Sequence, residues 1–154
     1  MRSLAAPAFF IVISLLAGVL GSAFMGTSIE TWYPTLVRPS FTPPNWVFGP
    51  VWTLLYILMG IAAYLVSKTK KLGVTFVLWL YFAHLVVNAL WSIVFFTLHE
   101  ILLSVFVILL LLGLIILLAV LFYRYSRLAA YLMIPYILWV SYATLLSIGF
   151  LVLN

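Results

Sequence analysis

The sequence predicts an all-α integral membrane protein that folds as a bundle of five transmembrane helices with a long structured first loop. Of its 154 residues, 68% are hydrophobic and only 6% are charged, whereas a soluble domain has roughly 25% charged residues. Five apolar runs are long enough to cross a bilayer, which takes about 20 residues per helix. Backbone groups within lipid must be hydrogen-bonded internally, and runs of this length achieve this as helices, since barrel strands are shorter and alternate in polarity.

The five runs make up one membrane domain that covers residues 1–154. The predicted spans are residues 4–25, 47–67, 72–98, 101–123 and 128–153. The first run could instead be a signal peptide cleaved near Ser22, but at roughly 22 residues it exceeds the 7–15 residues of a signal hydrophobic region. We therefore interpret it as a retained span.

The basic residues indicate how the bundle is oriented. Six of the seven fall on the side of the amino terminus, namely Arg2, Lys68, Lys70, Lys71, Arg124 and Arg127. The opposite side holds Arg38 and both acidic residues, Glu30 and Glu100. The positive-inside rule then predicts a cytoplasmic amino terminus and an external first loop. Because topology explains the positive charge, the net charge of +5 does not predict a nucleic-acid partner.

The available residue types exclude several kinds of chemistry. The chain has no cysteine, and its only acids are Glu30 and Glu100, so disulfides, thiolate metal sites and cysteine nucleophiles are ruled out. A zinc site needs three protein ligands, which His84 and His99 alone do not supply. His84 is also the only group within a span that titrates near neutral pH, and no carboxylate orients it. Neither hydrolysis, nor a metal site, nor a resident cofactor is predicted.

The long connection, residues 26–46, is predicted to be a stiff lid over the bundle. Its prolines are Pro34, Pro39, Pro43 and Pro44. Each proline fixes φ and pushes the preceding residue towards an extended conformation. The aromatic content of the segment argues against disorder, which favours polar sequence. Trp32 and Trp46 could alternatively belong to an aromatic belt at the membrane surface.

Aromatic and polar side chains recur at helical spacing on one face of three predicted spans. These faces carry Trp52 and Tyr56 in the second span, Tyr81, His84, Asn88, Trp91 and Phe95 in the third, and Tyr136, Trp139, Ala143, Leu146 and Ser147 in the fifth. Polar residues in a membrane normally face the bundle interior, where Asn88 and His84 could hydrogen-bond neighbouring helices. His84 could alternatively bind a metalloporphyrin. Because generic packing does not require buried indoles, the three faces predict a pocket for a flat apolar ligand.

These motifs resemble those of the tryptophan-rich sensory protein and translocator protein family, which includes the peripheral benzodiazepine receptor. The resemblance covers nearly the whole chain, includes the five-span layout, and is to a bacterial-type member, which implies a bacterial cell membrane. The matching residues are Trp32-Tyr33-Pro34, Arg38-Pro39-Ser40-Phe41, Pro43-Pro44, Trp46, Pro50, Trp52, Leu55-Tyr56, Gly60, Asn88, Trp91, Phe95-Phe96, Pro135-Tyr136, Trp139, Tyr142-Ala143-Thr144 and Leu146.

The resemblance implies a receptor for porphyrins, such as protoporphyrin IX and other haem-pathway tetrapyrroles, and for benzodiazepine-type ligands, acting in tetrapyrrole sensing or scavenging. It implies a pocket lined by Ser22, Met25, Phe48, Gly49, Val51, Trp52, Trp91, Leu103, Phe106, Leu110, Trp139, Ala143 and Leu146. To these we add Trp32, Tyr56 and Asn88. We also add Arg38, which could pair with a porphyrin propionate or could be a solvated surface residue.

Two other functions stay open at this point. Indoles can donate electrons to a photoexcited porphyrin, so Trp52 and Trp139 could support light- and oxygen-dependent porphyrin breakdown, an activity that the resemblance to bacterial relatives also implies. The other alternative is a porphyrin or small-molecule transporter, although a proton-coupled carrier normally needs an intramembrane acid.

The resemblance also bears on assembly and on sterols. Relatives are commonly dimers, so we expect a homodimer. Small residues four apart in the first helix, such as Ala17 and Gly21, could form its contact or could pack within the bundle. Sterol binding has little support, because Val152 and Leu153 leave no basic residue where the sterol pattern requires one. Leu103, Val107 and Ser147 also depart from the residues that the resemblance leads us to expect.

Overall fold

The structure is a computed structural model that describes residues 5–154. In chain order its helices are α1 (Ala5–Ala23), α2 (Ser28–Thr31), α3 (Phe48–Ser67), α4 (Val74–Ser92), α5 (Ile101–Tyr125), α6 (Arg127–Leu132) and α7 (Ile134–Leu153). The first loop contains the 3-10 turns Tyr33–Thr35 and Asn45–Val47, and a π-helical turn, Ile93–Thr97, extends α4. The predicted positions Arg2 and Leu4 lie outside the described residues.

Five helical stretches of the described chain are long and apolar enough to cross a membrane, which confirms the predicted fold class. They are Ala5–Ala23, Asn45–Ser67, Val74–Thr97, Ile101–Tyr125 and Arg127–Leu153. The junction between the last two is shorter than predicted, because only Ser126 separates α5 from α6. Ser126 is extended, with φ −152°, and its Oγ accepts a hydrogen bond from the Ala129 N–H at 3.3 Å. This N-cap allows a new helix to start directly after the previous one ends.

The helices pack most closely at the basic end of the bundle. α1 lies against α3 and α4, α5 lies against α4 and α7, and α3 closes the ring mainly through α6. Lys68 follows α3 and Arg127 begins α6, so this closure is at the basic end. Fully buried core residues at this end include Val66, Tyr81, Phe122, Ala129 and Met133. Because α3 makes little contact with α7, space remains between them at the loop end.

Two glycines allow α1 and α3 to approach closely. A β-carbon placed on Gly60 would lie 2.7 Å from the Ile11 Cα, and one on Gly18 would lie 2.3 Å from a ring carbon of Tyr56. Gly21 of α1 is buried against α4, and a β-carbon placed on it would lie 3.2 Å from the Ser92 Oγ. Of the two alternatives for the small residues of the first helix, these contacts support packing within the bundle. The homodimer stays a prediction.

The first loop, residues 26–46, is docked on the end of α7. Asn154 Nδ2 donates a hydrogen bond to the Val37 carbonyl at 3.1 Å, and the Val37 N–H donates to Asn154 Oδ1 at 2.9 Å. Pro39 is buried, and a β-carbon on Gly149 would lie only 2.6 Å from the proline Cγ. Glycine at position 149 therefore provides the flat surface on which this proline packs.

Aromatic side chains attach the same loop at two more points. Tyr33 is buried, and its ring centroid lies 5.6 Å from that of Phe150 and 5.7 Å from that of Phe96. The Tyr142 hydroxyl donates a hydrogen bond to the Phe41 carbonyl at 2.5 Å. The loop is thus an ordered cover attached to α7 and to the end of α4.

Candidate ligand cavity

A cavity with two lobes opens at the loop end of the bundle. The lid lobe, about 180 Å³, is lined by Met25, Ile29, Tyr33, Asn45, Phe48, Trp52, Trp91, Phe95, Phe96, Ala143, Leu146 and Phe150. The side lobe, about 380 Å³, is lined by Leu15, Gly18, Val19, Ser22, Met25, Ile29, Asn45, Phe48, Gly49, Trp52, Thr53, Tyr56, Asn88, Trp91 and Ser92. Trp52 and Trp91 belong to both linings, so the two indoles lie at the boundary between the lobes.

Neighbouring aromatic rings hold these two indoles in place. Trp52 stacks on Tyr56, with ring centroids 5.7 Å apart and planes 27° apart, and meets Tyr136 edge-on at 6.2 Å. Trp91 stacks on Phe95 at 5.9 Å and 18°. Aromatic pairs at such separations add stabilisation beyond their buried area. The wall between the lobes is therefore built from fixed, flat, apolar surfaces.

Asn88 links three helices beneath the side lobe. Its Oδ1 accepts a hydrogen bond from the Tyr56 hydroxyl of α3 at 2.6 Å, and its Nδ2 donates to the Tyr136 hydroxyl of α7 at 2.7 Å. Asn88 itself is buried on α4. These bonds support the prediction that Asn88 connects neighbouring helices. They also fix the orientation of Tyr56, which lines the side lobe.

His84 lies one turn away from Asn88 but outside the cavity lining. Its ring is completely buried, with centroids 5.1 Å from Tyr81 and 5.8 Å from Tyr136, and its Nδ1 is bonded to the Tyr81 carbonyl. The polar face of the third span is therefore inward, as predicted. A metalloporphyrin in the cavity would not reach a histidine that is enclosed by the packed core.

Most of the predicted pocket residues come together around the two lobes. Those that line at least one lobe are Ser22, Met25, Phe48, Gly49, Trp52, Tyr56, Asn88, Trp91, Ala143 and Leu146. They come from α1, the segment after it, α3, α4 and α7. The structure thus brings together side chains that the sequence analysis took from four separate spans.

The residues proposed on α5 are not part of the lining. Leu103, Phe106 and Leu110 are 47%, 62% and 57% exposed, so they form the outer face of this helix. The face that packs inward contains Ser104 and Ile108 instead. We therefore leave the three exposed residues out of the candidate site.

Three other predicted residues lie close to the cavity without lining it. Trp139 packs edge-on against Phe48, with ring centroids 5.8 Å apart, so Phe48 separates it from the lobes. Val51 is half-buried and packs against the core. Trp32 stacks on His99 at 4.2 Å and 17°, which attaches the first loop to the connection between α4 and α5.

Arg38 is exposed and contacts Tyr33, a residue of the lid-lobe wall. Its guanidinium carbon is 4.6 Å from the centroid of the Tyr33 ring, and Tyr33 lines the lobe. Burial raises the pKa of the Tyr33 phenol above its ordinary value, and the Arg38 charge offsets part of this increase. Tyr33 is therefore a neutral wall residue at physiological pH, with the exposed Arg38 cation against its ring.

Several lining residues lie outside the predicted set of pocket residues. Phe95 is one of them, although its spacing from Trp91 had already placed it on the inward face of the third span. Asn45, which belongs to both linings, follows two prolines in the loop and gives no periodic signal. Phe96 and Phe150 also line the lid lobe. The π-helical turn at 93–97 allows both Phe95 and Phe96 to face the lobe, although adjacent residues of an α-helix point in different directions.

The lining is suited to binding rather than to acid–base chemistry. No lining residue of either lobe carries a formal charge. Within residues 5–154, no group of three histidines or carboxylates is arranged to hold a metal ion. The buried indole Nε1 of Trp91 has no hydrogen-bond partner among the described residues, and neither has that of Trp139.

Comparisons with known proteins find relatives of this chain. The model of the TspO/MBR family matches residues 10–153. The tryptophan-rich protein TspO of Archaeoglobus fulgidus is 40% identical over 144 residues, which cover 93% of this chain and 94% of that protein. The protein of the same name from Chlorobaculum tepidum is 40% identical over 149 residues, covering 96% and 94%. The human translocator protein is 38% identical over 133 residues, covering 83% of this chain and 78% of the human protein.

Proposed function

Because the chain belongs to the TspO/MBR family of membrane proteins, we propose that it is a membrane receptor that binds porphyrins and other flat apolar ligands, including benzodiazepine-type compounds, in the two-lobed cavity. Its role would be tetrapyrrole sensing or scavenging. The observation that carries this proposal is the pair of indoles, Trp52 and Trp91, at the boundary between the lobes. A planar ring system seated against them gains stacking and buries apolar area.

The polar groups near the cavity fit the same class of ligand. Protoporphyrin IX has an apolar macrocycle and two propionates that must stay close to water or to a cation. Arg38, which lies against the Tyr33 ring, is the cation proposed to pair with a propionate.

Replacing Trp52 with phenylalanine is expected to weaken binding of protoporphyrin IX by about tenfold, equivalent to about 1.4 kcal/mol, because a smaller ring forms one side of the stack. The measurement is quenching of tryptophan fluorescence during a titration in detergent, in the dark. Trp79→Phe is the matched control, since Trp79 is on α4, 70% exposed and outside both linings. Equal affinities for the two variants would rule out binding against Trp52.

Light- and oxygen-dependent porphyrin breakdown is the second candidate function, and the position of Trp52 in the wall of both lobes supports it. The same titrated samples are illuminated in air, and the porphyrin absorption is followed with time. We expect faster loss of absorption than for free porphyrin, and less of this gain in Trp52→Phe than in Trp79→Phe. Equal rates of absorption loss with and without protein would contradict the enzymatic function and would not affect the receptor proposal. Transport has less support, because neither acid of the chain, Glu30 or Glu100, lies in a span.

We also propose that the amino terminus is cytoplasmic and that the first loop faces outward in a bacterial cell membrane. The basic residues of the two connections at one end of the bundle support this orientation, namely Lys68, Lys70, Lys71, Arg124 and Arg127. A homodimer is proposed as well. The exposed apolar outer face of α5 is available to lipid or to a second copy.

A further inference from the structure

The side lobe lies in the gap between α1 and α3. These helices touch at Gly60, where the Ile11 backbone is the neighbour, and again at Gly18, where the Tyr56 ring is the neighbour. Nearer the loop end, the lobe is bordered by Val19 and Ser22 of α1 and by Gly49 and Thr53 of α3. A β-carbon on Gly49 would meet no atom within 4 Å. The gap is therefore closed in the middle of the bundle and open towards the loop end.

The border of this gap is exposed and has the polarity of a lipid-facing surface. Val19, Ser22, Gly49 and Thr53 are all exposed. The Ser22 hydroxyl donates to the Val19 carbonyl and the Thr53 hydroxyl donates to the Gly49 carbonyl, each at 2.9 Å. Both hydroxyls are thus satisfied within their own helices, so neither presents an unpaired donor to hydrocarbon.

The route through the first loop is blocked by specific contacts. Opening the loop would break the two hydrogen bonds between Val37 and Asn154 and the bond from Tyr142 to Phe41. It would also expose Tyr33, which is buried. Passage between α1 and α3 breaks none of these contacts.

From these observations we propose that the side lobe is a lateral portal, through which ligands dissolved in the lipid enter between α1 and α3. The ligand passes Val19 and Thr53, occupies the side lobe, and reaches the lid lobe by moving past Trp52 and Trp91. This inference rests on the proposed function, since it describes how the ligand of the same cavity arrives. It specifies a ligand that partitions into the bilayer before it binds.

A portal residue should change the rates of binding much more than it changes the binding equilibrium. The protein is placed in lipid nanodiscs, and stopped-flow quenching of tryptophan fluorescence by protoporphyrin IX gives the association and dissociation rate constants. Val19 lines the side lobe, so for Val19→Phe we expect both constants to fall together by about tenfold while Kd changes much less than either constant. Leu20→Phe is the matched control, because Leu20 is 56% exposed against 60% for Val19 but borders neither lobe. Both of its rate constants should equal those of the wild type.

A second variant tests the portal with a bulky group that is attached only after the protein has folded. The chain contains no cysteine, so Ser22→Cys provides one labelling site, and N-benzylmaleimide is attached after purification. The label should slow association, whereas the same label on Leu20→Cys should not. Asn154→Ala, which loosens the first loop, should leave the association rate unchanged.

The outcomes separate the portal from the proposed function. Wild-type protein that shows no saturable quenching would overturn the function and the portal together. Normal wild-type binding with unchanged rates in Val19→Phe and in labelled Ser22→Cys would overturn the portal alone. Faster association in Asn154→Ala would overturn it in favour of entry through the loop. A weaker Kd for Val19→Phe with an unchanged association rate constant would mean that Val19 is only a wall of the binding site and not part of a passage.

Discussion

Replacing Gly60 with alanine is expected to lower the free energy of unfolding by about 2 kcal/mol, because the added methyl overpacks the crossing of α1 and α3. Its β-carbon would lie 2.7 Å from the Ile11 Cα and 2.9 Å from both the Ile11 N and the Phe10 carbonyl oxygen. All three atoms belong to the backbone, so no side chain can rotate away to make room. The helices would have to separate along their whole contact.

The measurement is reversible unfolding in mixed micelles, followed by circular dichroism as the fraction of denaturing detergent increases. Gly113→Ala is the control, since a β-carbon on Gly113 of α5 meets no atom within 4 Å. Alanine has the higher helix propensity, so this variant should be as stable as the wild type or more stable. A Gly60→Ala protein as stable as Gly113→Ala would show that α1 and α3 are not in close contact at this point.

Replacing Asn88 with leucine is expected to cost about 2 kcal/mol of stability, since it removes two interhelical hydrogen bonds and leaves two buried hydroxyls without this partner. The hydroxyls belong to Tyr56 and Tyr136. Leucine has the same branched skeleton of four heavy side-chain atoms, but its methyl groups are larger, so part of the cost is overpacking at this buried position. We also expect weaker protoporphyrin IX binding, because Tyr56 would lose the bond that fixes its ring beside Trp52.

A double-mutant cycle tests this assignment with the same unfolding measurement. If the bond between Tyr56 and Asn88 carries the effect, Tyr56→Phe should cost less in the Asn88→Leu background than in the wild type. Asn45→Leu is the control for replacing an amide, because Asn45 is exposed and its stability effect should stay within about 0.5 kcal/mol. Additive costs for Tyr56→Phe and Asn88→Leu would contradict the proposed network.

The sequence predicts the inward face of a span only where polar or aromatic residues distinguish one side of the helix from the other. The spans follow from hydrophobic runs, and the inward faces of α3, α4 and α7 follow from indoles and polar groups at helical spacing. α5 offers no such contrast, because apolar residues cover its whole circumference. Leu103, Phe106 and Leu110 were assigned to its inner face by resemblance, and they are on its outer face.

The spacing of residues along a helix also does not show how deep in the bundle each side chain lies. His84 and Asn88 share one face of α4, yet only Asn88 reaches the cavity, because the helices converge at the level of His84. Spacing gives the direction in which a side chain points, whereas the divergence of neighbouring helices decides whether it meets a packed core or an open space. The position of Phe48 in front of Trp139 depends on the same tertiary arrangement.

The contact between Pro39 and Gly149 limits the order in which this sequence can evolve. A side chain at position 149 would collide with the proline ring, whose Cγ would lie 2.6 Å from the new β-carbon. A change at position 149 is therefore costly while Pro39 is present, and becomes tolerable once a smaller residue stands at position 39. The two positions are therefore epistatic although they are far apart in the chain. If Gly149 were substituted before Pro39, the intermediate protein would have its first loop displaced from α7.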